Sequence, residues 1–195
     1  MAIGTAGEFE NRADTIRPCR NDDGVGEHHP FIDLGPSLWV CLVMSTYTAT
    51  IRWSRHGDGD FTKGQYSRAH EWSFDGGAVV PASASPHIVP APWSDEAGVD
   101  PEEAFVASLA SCHMLFFLDF AKRAGLTIEN YVDEAEGLME KGADGKIRIT
   151  RVTLWPHITW AGGAPDEPTI ADLHHRAHEA CFIANSVNAE VKVQS

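Results

Sequence analysis

The sequence predicts an α+β domain, on three observations. Strand-like stretches come in consecutive pairs, so the repeated strand-helix-strand alternation of a parallel sheet is missing. One helix start is written several ways at once, at Asp100-Pro101-Glu102-Glu103. A second helix-like stretch, "TIADLHHRAHEACFIANSV", follows two further strands and precedes a last one, "AEVKVQ".

The elements follow in order. "TYTATIRWS" (46–54) is rich in β-branched and aromatic residues, and "YSRAHEWSFDGG" follows a Gly/Asp-rich turn region, so the two read as paired antiparallel strands. "AVVPASASPHIVP" carries prolines that confine it to short or edge strand pieces. At Asp100 a capping carboxylate, Pro at the first helical position and Glu in the first turn all favour a helix N-terminus. The helix then runs to Gly125, with Lys122 and Arg123 in its last turn. Between Phe105 and Phe120 it is apolar on nearly every face, which suits a helix wrapped by other elements or by a partner subunit. "TIENYVDEAEGLMEK" and "KIRITRVTLWPHITW", split by "GADG", read as two long antiparallel strands.

Composition narrows the function. With 195 residues the chain has room for one sizeable core, and a net charge of −13 argues against nucleic acid, whose binding needs clustered Lys and Arg. No uninterrupted run of about 18 apolar residues occurs, so a membrane span is not expected and the protein reads as soluble and cytoplasmic. Residues 1 to 43 mix Gly, Asp, Glu, Asn and Pro without period. They read as a disordered extension, or as the product of a wrongly assigned start codon, since Met44 opens the alternating segment. The folded domain is then 44–195.

The chain has 4 cysteines, Cys19, Cys41, Cys112 and Cys181, without C-x-x-C spacing or the density of a secreted disulfide scaffold. Cys112 and His113 lie side by side inside the apolar helix. Taken alone, such a thiol is a small hydrophobe, and burial makes it less reactive unless a fixed cation stands beside it. Cys181 is the other thiol of the folded part, placed within the second helix-like stretch.

Together, "DPEEAFVASLASCHMLFFL" and, 69 residues after its thiol, "AHEACFIANSVNAEV" resemble the OsmC/Ohr family of thiol-dependent hydroperoxide reductases, from about Tyr47 to Val193. The resemblance implies an intertwined homodimer, with curved antiparallel sheets wrapped around two central helices. It implies Cys112 as the peroxidatic thiol, Cys181 as the resolving thiol, and a catalytic Glu at Glu102. It also implies oxidative-stress defence against organic hydroperoxides, hydrogen peroxide being a further substrate. An external dithiol, lipoyl-type or other, would be the reductant, with no metal or organic cofactor. The family's Arg has no counterpart in "HIVPAPWSDEAGV", which leaves Arg68, with Arg55 and Arg52 behind it.

Ten residues of helix rise about 15 Å, so Glu102 acts on Cys112 through an Arg or across a dimer interface. Met114, Leu115, Phe116 and Phe117 would give the site apolar walls that favour organic hydroperoxides. His113 is expected to be a hydrogen-bonded core or interface residue, and His70, sharing a strand face with Arg68, would line the site if Arg68 does. Two other readings stand beside this one. His174, His178 and Cys181 have metal-ligand spacing on one helix side, and with Cys112, His157 or His87 would make a zinc site. The fold could also serve in a relative without peroxidase activity.

Overall fold

The structure is a computed structural model that describes residues 45–194. The expectation for residues 1 to 43 lies outside the described residues. The unit Thr48–Ser195 carries eight strands and two α-helices.

The first sheet is β1 (Ala49–Arg52), β2 (His70–Phe74) and β3 (Val79–Ala82), antiparallel and in that order. Pro81 sits in β3, an edge strand, where its missing N–H leaves no gap between strands. Arg68 precedes β2 instead of sharing its face with His70; its backbone N–H donates to Trp93 O at 2.9 Å.

Helix α1 (Pro101–Arg123) begins as its sequence predicts. Asp100 accepts the Glu103 N–H at 2.7 Å, and Glu103 accepts the Asp100 N–H at 3.1 Å, a complete capping box. The chain leaves it through Gly125, at φ 75°, a conformation that glycine adopts without a steric penalty.

The two long strands each break in the middle. β4 (Ile128–Asp133) pairs with β7 (Pro156–Trp160), whereas β5 (Glu136–Lys141) pairs with β6 (Ile147–Leu154) across the turn at 142–145. At the break the Trp155 N–H donates to the Asp133 carboxylate at 2.7 Å, so a side chain takes the place of a ladder partner. β8 (Glu190–Val193) runs parallel to β6, an exception to the antiparallel pattern expected.

Helix α2 spans Glu167–Ala180 and stops short of the stretch predicted for it. Cys181 is extended, at φ −65° and ψ 111°, and a 3-10 turn follows at Ala184–Ser186. The Asn185 side-chain amide donates to Glu179 O at 2.9 Å, giving a donor to a carbonyl of the last helical turn.

Only one stripe of α1 is fully buried: Leu109, His113, Phe117 and Ala121, four residues apart. Phe117 and Ala121 pack on Leu173 and Ala177 of α2, where the two alanines bring the helices close. Leu109 packs on Val152 and Leu154 of β6. The remaining faces of α1 stay partly open, and Leu115 is 60% exposed. Among the described residues α1 is the one helix that is long and apolar enough to cross a membrane, by length and by a mean hydropathy of 1.7 over 18 residues.

Candidate active site

Two anchors carry the segment after α2 back onto α1. Ile183 packs into the cluster of Leu109, Val152 and Leu154, and the Phe182 ring meets Phe116 edge to face, with centroids 5.1 Å apart. Cys181 lies just before these anchors and Cys112 one helical turn beyond Leu109, so the packing brings the thiols together. Both are free, and the two thiols are close enough to influence each other's ionisation.

The two sulfurs have different surroundings. Cys112 is half-buried and lines a cleft of about 550 Å³ with Ser108, Ser111, Leu115, Phe116, Asp119, Phe182 and Ile183. Cys181 is 0% exposed. Its sulfur accepts the Ala184 N–H at 3.4 Å and a second backbone bond from Ile183. Burial, followed by the hydrogen bond to Cys112, pushes the Cys181 thiol up to about 11, while the two amides oppose that shift.

His113 turns away from this cleft. Its Nε2 lies 3.1 Å from Nδ1 of His174, both rings are buried, and Phe117 packs on His174 at 4.3 Å between centroids. Desolvation lowers both imidazoles to about 4, helped at His113 by the nearby His174 and His178. The outer nitrogens, His113 Nδ1 and His174 Nε2, have no partner among the described residues. His113 is thus a hydrogen-bonded core residue, as the 100° step from Cys112 suggests.

The remaining residues singled out from sequence stand apart from the thiols within one chain. Glu102 lines a separate groove of about 860 Å³ with Asp100, Glu103, His87 and Val106, and pairs with no described cation. Arg68 donates through one nitrogen to Gly64 O at 2.6 Å and Tyr66 O at 2.5 Å, with its Cζ 3.7 Å from the Tyr66 ring centroid. It has no carboxylate partner among the described residues. Arg55 donates to Gly59 O at 3.2 Å, and Arg52 to Ser73 Oγ at 2.6 Å and Glu71 at 3.4 Å. His70 is committed at both nitrogens. The Trp72 indole can only donate, so Nε2 accepts it at 2.8 Å and Nδ1 donates to Arg68 O at 2.8 Å.

The zinc arrangement does not form. Cys181 has left the helix, His174 faces His113, and no three His, Cys, Asp or Glu side chains converge among the described residues. The predicted apolar walls are also corrected in part. Leu115 and Phe116 line the cleft, whereas Phe117 lies in the core and Met114 is not part of the lining. Ser108, Ser111 and Asp119 were not anticipated, although all but Ser111 stand at helical spacing from Cys112. Phe182, Ile183 and the Ala184 amide were hidden by reading their segment as helix.

The OsmC-like protein family pattern matches residues 94–195. An OsmC-like protein of unknown function from Vibrio cholerae is similar at 50% identity over 77% of this chain and 99% of its own, with a TM-score of 0.75. The organic hydroperoxide resistance protein OhrB of Bacillus subtilis shares the fold at 23% identity, covering 78% and 98% of the two chains with a TM-score of 0.57. An organic hydroperoxide resistance protein OsmC from Legionella pneumophila does so at 20% identity, 77% and 96% coverage and a TM-score of 0.57. No curated protein matches significantly. Because the matched region holds both helices and both thiols, and a whole-length relative shares half of the aligned residues, this chain belongs to the OsmC family.

Proposed function

We propose that this protein is a thiol-dependent peroxidase that reduces organic hydroperoxides. The observation that carries this reading is the meeting of two free thiols from distant segments at an apolar cleft that exposes one of them.

In this mechanism the Cys112 thiolate attacks the distal oxygen of the hydroperoxide. The O–O bond breaks, the alcohol leaves with a proton, and Cys112 becomes a sulfenic acid. The Cys181 sulfur attacks the sulfenic sulfur, water leaves, and a Cys112–Cys181 disulfide forms. An external dithiol returns both residues to thiols, so the cycle needs no metal or organic cofactor. Leu115, Phe116 and Phe182 give the cleft an apolar wall, which favours an organic tail over hydrogen peroxide.

The working unit in this reading is a homodimer. Support comes from α1, whose apolar residues outside the buried stripe stay partly open, and from two opposite charges without ionic partners among the described residues, Glu102 and Arg68. We infer that a second copy covers α1 and brings its Arg68 guanidinium to Glu102 and Cys112. Such a fork would hold the thiolate and donate to the peroxide oxygens.

The test is peroxide consumption by the full chain with dihydrolipoamide as reductant, comparing cumene hydroperoxide with hydrogen peroxide. Turnover of cumene hydroperoxide that vanishes in Cys112→Ser is expected. Consumption no faster than that of the Cys112→Ser protein rejects the peroxidase, and a clear preference for hydrogen peroxide rejects the substrate class.

A further inference from the structure

The sulfurs of Cys112 and Cys181 differ in exposure, which decides which of them a reducing thiol can reach. Thiol–disulfide exchange proceeds by attack of a thiolate along the S–S axis, and depends on which sulfur is accessible and which departs as the better stabilised thiolate. Cys112 opens onto the cleft, while Cys181 is 0% exposed. Cys181 also has a ready set of donors, because its sulfur already accepts the backbone amides of Ile183 and Ala184 at the start of the 3-10 turn. Among the described residues no backbone N–H serves Cys112, which lies inside α1 where each amide is used by the helix ladder.

Resting on the peroxidase reading above, we propose that the reducing dithiol attacks the Cys112 sulfur and that Cys181 is the leaving thiolate, held by the amides of Ile183 and Ala184. One thiolate of the dithiol forms a bond to Cys112 as the Cys112–Cys181 bond breaks, and the electron pair of that bond goes to Cys181, which then takes up a proton. The second thiol of the dithiol attacks its own sulfur in the mixed disulfide and expels Cys112 as a thiolate. The protein gains two electrons and two protons, and the reductant leaves as a cyclic disulfide. Of the influences that raise the Cys181 thiol in the reduced protein, those from Cys112 vanish while Cys112 is tied to the reductant. Burial, the largest influence, remains and is only opposed by the amides, so the exposure of Cys112, more than the stability of the departing thiolate, sets the direction of attack. The turn at 184–186 is a positioning element for the reductive half of the cycle.

The experiment uses the full chain oxidised with one equivalent of cumene hydroperoxide, intact mass first establishing the loss of two hydrogens. Glutathione, a monothiol that cannot complete the second step, is then added. Aliquots are quenched in acid at short times, blocked with N-ethylmaleimide and digested for peptide mass mapping. The expected result is glutathione on the peptide containing Cys112 and N-ethylmaleimide on that containing Cys181, in at least about ten-fold excess over the reverse. Glutathione on Cys181, or an even split at the earliest time, overturns the proposal and leaves the peroxidase reading intact. Failure to lose two hydrogens defeats both, and is seen before glutathione is added.

Discussion

Cys112 and His113 are neighbours in one helix, yet they belong to different parts of the molecule. Cys112 looks into an open cleft and touches a second thiol; His113 looks into the packed seam between α1 and α2 and touches a second imidazole. One 100° step separates a position suited to chemistry from one that holds the fold. Substitutions on the two sides should therefore separate activity from stability. Cys112→Ser is the sharpest case, with a loss of about 10³-fold or more in peroxide turnover, since its hydroxyl is a far weaker nucleophile. The thermal midpoint should move by no more than a few degrees, because Cys112 is half-buried and Ser is close in size. A large drop in Tm would break the division between the two faces.

The opposite outcome is expected one turn beyond His113. Phe117 is 0% exposed and packs on Tyr131, Trp160 and His174, so Phe117→Ala should cost about 3–5 kcal/mol of stability. Chemical denaturation measures this directly. Folded Phe117→Ala protein, assayed well below its midpoint, should keep most of its rate per molecule.

The histidine seam also makes the stability depend on pH. Both imidazoles have folded-state values lowered to about 4 from an ordinary 6.5, so the folded protein holds them neutral while the unfolded chain binds protons. Their contribution is complete above about pH 6.5, and falls as pH drops from there toward about 4, where the folded state begins to protonate as well. The denaturation midpoint should decline over that window. Replacing both residues, as His113→Leu with His174→Leu, should flatten the decline, because it removes the titrating pair together with its two unpartnered nitrogens. An equally steep decline in the double variant would place the acid sensitivity elsewhere.

How much of this was legible in sequence depends on how local the cause is. The start of α1 was fully readable, because Asp100, Pro101 and Glu103 act on amides within three residues. The wall of the cleft was readable in part, since Ser108, Leu115, Phe116 and Asp119 follow from Cys112 by the helical repeat. The end of α2 was not. "EACFIANSV" continues an apolar pattern, and the stop rests on Asn185 reaching back to the Glu179 carbonyl. The break in the long strands is likewise set by one contact between residues 22 apart, Asp133 and Trp155. The His113–His174 pairing needs the two helices already packed, so spacing along α2 pointed instead to a metal. Glu102 and Arg68 stand apart within one chain, and the pairing proposed for them across two copies has no short-range signal in the sequence.

The smallest expected effect distinguishes the cleft as a binding surface from the cleft as a mere opening. Phe182 is 58% exposed, and its ring leans edge-on against Phe116 beside the thiols, so it can cover a hydrocarbon tail without supporting the core. Phe182→Ala should weaken the use of cumene hydroperoxide by roughly ten-fold, seen as a higher KM, in line with about 1–2 kcal/mol of lost apolar contact. Turnover of hydrogen peroxide, which has no tail to cover, should change much less. If both substrates weaken equally, Phe182 acts by positioning Cys181, its neighbour in the chain, and the substrate preference has to come from another wall of the cleft.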